Sequence, residues 1–90
     1  MNEDLTKAFR LFRQWEKKKA KVGVMIMSDS QQMIVNLTGR IIVRDSGFNV
    51  TGNQLEFRFA PQPNMDVSLG DNTVGIVALG YRVALFLSRE

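Results

Sequence analysis

Apolar side chains in the first twenty residues recur at the spacing of an α-helix. At about 100° per residue, one arc of such a helix collects the apolar positions, and lysines and arginines occupy the opposite side. The arc contains Leu5, Ala8, Phe9, Leu11, Phe12 and Trp15. Glu3 and Asp4 suit the positive end of the helix dipole, and Asn2 or Asp4 is a suitable cap. The pattern predicts an amphipathic helix from residue 3 to about residue 19.

After residue 21 the apolar positions alternate instead, which is typical of β-strands. Predicted strands cover residues 22–27, 33–44, 48–51, 73–79 and 82–88. After a predicted turn or bulge at Gly52-Asn53, apolar and polar residues alternate again from 55 to 59. The segment 60–72 contains two prolines and is the most loop-like, with brief pairing expected at 65–69. Gly39 lies in the middle of the longest strand, and an interior glycine marks a bend or bulge. A bent strand of this kind serves both halves of a small barrel.

One helix followed by about five short strands predicts a mainly β fold rather than a βαβ sheet. We expect an N-terminal helix and a strongly bent five-stranded antiparallel sheet, forming an open barrel of the SH3-like type. The length predicts one domain over 1–90, with the helix in 1–20 and the barrel in 21–90. So short a chain buries a thin core, and small domains compensate with disulfides, metals or oligomerisation. Without cysteine, oligomerisation is the expected remedy.

The composition argues against catalysis and against metal or cofactor binding. The chain has no histidine and no cysteine, which removes the commonest general base and the commonest metal ligands. Acid–base chemistry would need carboxylates brought together, yet the acidic residues are scattered along the sequence. They include Asp29, Asp45, Glu56, Asp66 and Asp71. We therefore expect no enzymatic activity, no metal and no cofactor.

The net charge of +3 is concentrated near the start of the chain. Residues 1–21 carry seven lysines and arginines against three acids, whereas residues 22–90 carry five arginines against six acids. Such an asymmetry indicates an anionic partner at the helix, where Lys17, Lys18 and Lys19 are adjacent. No apolar run approaches the roughly 20 residues that cross a bilayer, and the first charges are acidic, unlike those of a signal peptide. A cytoplasmic protein with no membrane partner is predicted.

The segment from Gly39 to Val50 contains the most informative motif. Asp45 follows Gly39 by six residues and Asn49 follows Asp45 by four, with apolar Phe48 directly before Asn49. This spacing resembles the first motif of the Sm-like (LSm) family, and the segment 76–83 around Gly80 resembles its second motif more weakly. The helix before the strands also matches the order of elements in that family.

The resemblance implies a ring of subunits that binds single-stranded RNA at its inner rim. In the family, the residue matching Asn49 bonds a uracil edge and the residue matching Gly47 stacks on the base. RNA-binding positions implied here are Asp45, Gly47, Asn49, Gly80, Tyr81 and Arg82, to which the helix adds Lys17, Lys18 and Lys19. Glycine offers no stacking face, and Leu79 replaces the arginine of the second motif. Stacking is worth about 1–3 kcal/mol per base, so tight uridine binding is not expected.

Several alternatives remain open at this point. Asn49 and Asp45 either recognise a base or hold their own turn together. Arg40 and Arg44, on one face of a strand, either line a pore or pair with surface acids. For Tyr81, subunit packing is expected over base stacking.

At the level of function, a ring that binds RNA weakly competes with a ring-forming scaffold that has lost base recognition. A third alternative is a basic amphipathic helix that docks on an acidic membrane or a partner protein, which requires its apolar arc to be free rather than buried in the domain. The expected self-partner is a cyclic pentamer, hexamer or heptamer, joined through exposed strand edges at residues 73–79 and 82–88.

Overall fold

A computed structural model describes residues 3–30, 32–45, 47–52, 55–61, 65–78 and 80–88. These residues form one helix and seven strands. The helix is α1 (Glu3–Lys17), and the strands are β1 (Val22–Ser28), β2 (Met33–Val43), β3 (Phe48–Thr51), β4 (Glu56–Phe59), β5 (Asp66–Leu69), β6 (Thr73–Ala78) and β7 (Tyr81–Leu87).

The helix ends in a reverse turn that its own backbone closes. Lys19 has a left-handed backbone with φ of 53°, and its N–H donates to the carbonyl of Glu16 at 3.0 Å. Ala20 N–H donates to the carbonyl of Trp15, also at 3.0 Å. This pair of bonds is the Schellman arrangement, which satisfies carbonyls left over at a helix end and turns the chain back. The turn sends the chain directly into β1.

The described strands form one antiparallel sheet in the order β4-β3-β2-β1-β7-β6-β5. Strand β2 pairs with one neighbouring strand in its first part and with another in its second part. Up to Gly39 it pairs with β1, where Val22 is opposite Gly39, and from Arg40 onward it pairs with β3, where Thr51 is opposite Arg40. The predicted bend at Gly39 therefore coincides with a change of neighbour.

Strand number is where the sequence-based prediction is wrong, because the described residues give seven strands rather than five. Gly52 N–H donates to the carbonyl of Leu55 at 2.8 Å and closes a hairpin between β3 and β4, at the place where the sequence predicted a turn or bulge. Asn53, the second residue of that predicted turn, lies outside the described residues. The brief pairing expected at 65–69 is a regular strand, β5, hydrogen-bonded to β6. The coarser prediction, one N-terminal helix and an open antiparallel sheet, is confirmed.

Aromatic rings from the helix and the sheet meet in the core. The Phe12 ring is fully buried, with its centroid 4.7 Å from that of Phe48 and 5.7 Å from that of Trp15. Further buried residues extend the core along the sheet: Leu5, Ala8, Val22, Val24, Ile26, Leu37, Ile41, Val50, Val74, Ile76, Val83 and Leu85. The apolar arc of α1 is thus committed to the sheet. The alternative that needed this arc free for a membrane or a partner is wrong for this fold.

The exposed edges of the sheet are not the ones that the sequence suggested. Strand β6 pairs with β5 and β7, and β7 pairs with β6 and β1, so both are interior strands. Among the described strands, the two edges are β4 and β5. Short apolar hairpins near the end of the chain looked like an edge because the sequence does not reveal that β5 covers β6. Among all the residues that the structure describes, no helix is both long enough and apolar enough to cross a bilayer.

Candidate functional site

Alternation along β2 places its polar side chains on the face of the sheet away from the core. Leu37 and Ile41 are buried, whereas Arg40 and Arg44 are exposed. The register across β2, β3 and β4 puts Arg40, Thr51 and Glu56 in one cross-strand row, and Ile42, Asn49 and Arg58 in the next. We call this surface the outer face of β2–β4. It has three arginines and one carboxylate among its described residues.

A cleft of about 320 Å³ opens at the end of this face, beside the turn between β2 and β3. Two arginines, one asparagine and two phenylalanines border the space. Its lining residues are Arg44, Gly47, Phe48, Asn49, Arg58, Phe59 and Ala60. No acidic side chain is among these lining residues. The cleft is therefore suited to an anion that also carries a flat or apolar group.

Asn49 is nearly buried, with 3% of its surface exposed, and its amide is held by Arg44. With the amide oriented to match donors with acceptors, Nε and Nη2 of Arg44 each donate to its oxygen at 3.0 Å. The amide nitrogen donates to the carbonyl of Phe48 at 3.2 Å. An amide oxygen has two lone pairs, and both are occupied here. Asn49 thus fixes the Arg44 guanidinium beside the cleft.

Arg58 and Glu56 form an ion pair on the edge strand β4. Nε of Arg58 lies 2.6 Å from Oε1 of Glu56, and the Arg58 side chain is 74% exposed. This hydrogen bond is the main reason why the pKa of Glu56 is lowered from its ordinary value, with smaller contributions from the charges of Arg58 and Arg44. Glu56 also accepts a bond from the Thr51 hydroxyl at 3.5 Å. Because a fully exposed ion pair is weak, an incoming anion competes with Glu56 for Arg58 at small cost.

Gly47, predicted at the base-stacking position, has no room for a side chain. A Cβ built on Gly47 would overlap the carbonyl oxygen of Phe59 and lie 3.1 Å from Cα of Ala60. Its backbone is therefore in contact with the chain that follows β4. The turn itself is closed by Arg44 N–H, which donates to the carbonyl of Gly47 at 2.8 Å. Gly47 belongs to the cleft as backbone, and stacking by a side chain at this position is excluded sterically.

The other predicted rim residues lie outside the lining of this cleft. Asp45 is exposed in the β2–β3 turn. Gly80 has φ of 91° in the β6–β7 turn, and its carbonyl accepts the N–H of Asp29 at 3.1 Å. Tyr81 packs edge-on against Phe59 with 6.5 Å between centroids, and Arg82 is exposed on β7. Leu79 lies outside the described residues.

Lys17, Lys18 and Lys19 are exposed at the end of α1. Their position has a structural reason, because cations near a helix C-terminus are favoured by its dipole. The helix end is attached to the sheet by Glu16, whose Oε1 accepts the N–H of Val43 at 3.3 Å. The bond from Glu16 thus holds the helix end near β2, and the three exposed lysines beside Glu16 are accessible to a polyanion.

Five lining residues of the cleft were not predicted as site residues from the sequence: Arg44, Phe48, Arg58, Phe59 and Ala60. The sequence placed Arg44 on one face of its strand, but its bond to Asn49 depends on the hairpin geometry. Arg58 and Phe59 lie on β4, in the alternating segment predicted after the turn or bulge at Gly52-Asn53. The alternation Glu56, Phe57, Arg58, Phe59 was the available signal, since it places Arg58 on the polar face opposite the two rings.

Comparison of the chain with models of protein families, with curated proteins and with solved structures finds no match. The likeness to the Sm-like family therefore stays a prediction from the motif residues. Over the described part of the chain, no three acidic side chains come together in a way that could hold a metal ion.

Proposed function

We propose that this chain is a ring-forming Sm-like protein that binds single-stranded RNA weakly and does not catalyse a reaction. The observation that supports RNA binding is the cleft where Arg44, Arg58 and the amide of Asn49 meet. Guanidinium groups recognise phosphate oxygens through paired N–H donors, and their flat faces also stack on bases. We expect the protein to act in the cytoplasm.

Phosphate contacts, rather than base recognition, supply most of the proposed affinity. The oxygen of Asn49 is already bonded twice by Arg44, so Asn49 has little capacity left to bond the edge of a base. Gly47 contributes no stacking surface. Phosphate contacts carry no sequence information, whereas base contacts do. We therefore expect similar affinities for uridine-rich and adenosine-rich strands.

A ring-forming scaffold without RNA binding is the second candidate. The bond between Arg44 and Asn49 favours the scaffold, because it gives the buried asparagine a purely structural role that needs no ligand. In this alternative, Arg44 and Asn49 stabilise the β2–β3 hairpin, and the cleft has no ligand.

Fluorescence anisotropy with labelled uridine and adenosine oligomers, at two salt concentrations, tests the proposal. Arg58→Gln removes a cleft cation, and the triple change of Lys17, Lys18 and Lys19 to glutamine removes the helix cations. Each lost phosphate contact should lower the salt slope by about 0.7, so we expect about 0.7 and about 2 respectively. Lys7→Gln is the matched control for charge, since Lys7 lies in the first half of α1 and is 3.9 Å from Glu3.

Asn49→Ala tests base recognition in the same assay. We expect a uniform effect on both oligomers, because losing Asn49 frees Arg44 from its fixed position. A selective loss of uridine binding would instead show that Asn49 recognises a base. If the unmodified protein binds neither oligomer at low salt, the RNA proposal is wrong and the scaffold remains.

A further inference from the structure

A second cleft, of about 570 Å³, lies on the outer face of β2–β4 at the bend of β2. It opens where β2 leaves β1 and begins to pair with β3. Its lining residues are Lys21, Thr38, Gly39, Arg40, Thr51 and Gly52. None of them was singled out as a binding residue, and none lines the cleft around Asn49.

The chemistry of this second cleft is cationic and rich in donors. Lys21 and Arg40 bring two positive charges, and Thr38 and Thr51 bring two hydroxyl groups. The Thr51 hydroxyl donates to the Glu56 carboxylate at 3.5 Å, so an anion in this cleft competes with Glu56 for that hydroxyl. Thr51 is directly opposite Arg40 across the strands, so their polar groups extend from the same row. Clustered N–H and O–H donors around a concave space match the oxygens of a phosphate group.

Two glycines allow the strands that form this cleft to approach each other closely. A Cβ on Gly39 would overlap the carbonyl of Thr51, and one on Gly52 would lie 2.9 Å from the carbonyl oxygen of Thr38. The strands therefore touch at this point without side chains between them.

The two clefts lie along the same strand, on the same face. Arg40 and Arg44 are four residues apart in sequence, which corresponds to about 13 Å along β2. Ile42, which is 42% exposed, lies between them. A polyanion that follows β2 would meet both clefts in turn. An isolated small anion would occupy only one.

We propose that the cleft at the bend is a phosphate-binding subsite, which holds the backbone of a single-stranded polynucleotide that also occupies the Asn49 cleft. The link to a polynucleotide rests on the proposed function. The preference for phosphate does not, because it follows from Lys21, Arg40 and the two threonine hydroxyls.

Oligomer length separates the subsite from the first cleft. A uridine dinucleotide has one phosphodiester and fits one cleft, whereas an octanucleotide can occupy both. Arg40→Gln should weaken octanucleotide binding about fivefold at 0.1 M salt, which is the effect of one lost phosphate contact on a single strand. It should leave dinucleotide binding unchanged. Lys7→Gln is again the matched control for charge, and an amide NMR spectrum verifies the fold of each variant.

The outcomes distinguish the subsite from the proposed function. If Arg40→Gln behaves like Lys7→Gln while Arg58→Gln still weakens binding, the subsite is wrong and the RNA proposal stands. If no oligonucleotide binds, the RNA proposal is wrong, and an NMR titration with pyrophosphate tests the phosphate subsite by itself. Changes in the amide shifts of Thr38, Arg40 and Thr51 that disappear in Arg40→Gln would support the subsite. If pyrophosphate causes no such changes in the unmodified protein, the subsite is wrong.

Discussion

Gly39 is the residue at which β2 exchanges one neighbouring strand for another. Its Cα hydrogens touch the peptide between Thr51 and Gly52, and a Cβ there would lie 2.8 Å from the nitrogen of Gly52. The obstacle is backbone on a paired strand, so it cannot rotate away as a side chain would. The close approach of β2 to the end of β3 therefore requires glycine.

Replacing Gly39 with alanine should lower the free energy of unfolding by about 1–3 kcal/mol, the usual cost of inserting a methyl group into a tightly packed place. Gly75→Ala is the matched control, because the atom nearest to its added Cβ is the hydroxyl oxygen of Ser68 at 2.7 Å, which can rotate away. Thermal unfolding by circular dichroism measures both. Equal melting temperatures for the two variants would contradict the role given to Gly39.

Residue-level predictions from the sequence succeeded where local backbone geometry decides. An interior glycine in a long β-branched strand has few explanations, and β2 changes its neighbour at the glycine that the sequence singled out. The same sequence could not show that Arg44 bonds Asn49, since two flexible side chains meet only after the hairpin has formed. Nor could it show that Gly47 lies against Phe59, since that contact depends on how β4 pairs with β3.

At the scale of elements, α1 is anchored at its centre and at its end. Phe12 inserts between Phe48 of the sheet and Trp15 of the helix itself, and Glu16 bonds the end of β2. A 15-residue helix is marginal in isolation. Its stability here comes from these tertiary contacts with the sheet, so the helix is an integral part of the fold.

Phe12→Ala should reduce stability by about 3–5 kcal/mol, as is usual for a fully buried phenylalanine. Phe9→Ala is the control, because Phe9 is half-buried and its ring lies farther from Phe48, at 6.4 Å against 4.7 Å for Phe12. Urea unfolding, followed through the fluorescence of the single tryptophan, gives both values. A loss for Phe9→Ala as large as that for Phe12→Ala would mean that the centre of the helix is not the anchor.

The helix and most strands follow from periodicity, whereas the strand count does not. The sequence marks Gly52-Asn53 as either a turn or a bulge, and a bulge would leave the two segments in one strand. The hydrogen bond from Gly52 to Leu55 shows that the chain turns there, which separates β3 from β4. Strand β5 was difficult to predict for the opposite reason, since it is short and follows a proline-rich segment.

At the scale of the whole molecule, the two sheet edges, β4 and β5, are the surfaces through which neighbouring subunits of the proposed ring could pair. An open edge presents unpaired backbone groups to another chain. Exposed apolar side chains lie beside both edges: Leu55, 62% exposed, precedes β4, and Leu69, 40% exposed, ends β5. A head-to-tail contact between β4 of one subunit and β5 of the next generates a ring if the rotation closes.

We expect sedimentation velocity to show a cyclic species of about five to seven subunits. Leu55→Lys and Leu69→Lys should each prevent closure, because each spoils one side of every contact. Mixing the two variants should restore one intact contact and give dimers. Val77→Lys is the control, since Val77 is similarly exposed on the interior strand β6. A stable monomer of the unmodified chain at micromolar concentration would contradict the ring.

The central position of β1 in the sheet has a consequence for the order of folding. Its pairing with β2 is local, but Val22 pairs with Leu87 and Ser28 with Tyr81, separations of 65 and 53 residues. Contacts between distant residues slow folding, because the intervening chain loses entropy before they form. During synthesis, the edge of β1 that pairs with β7 therefore has no partner strand until β7 has emerged from the ribosome. In that interval β1 is a strand edge of valine, methionine and isoleucine, and it is the segment most exposed to mispairing with another nascent chain.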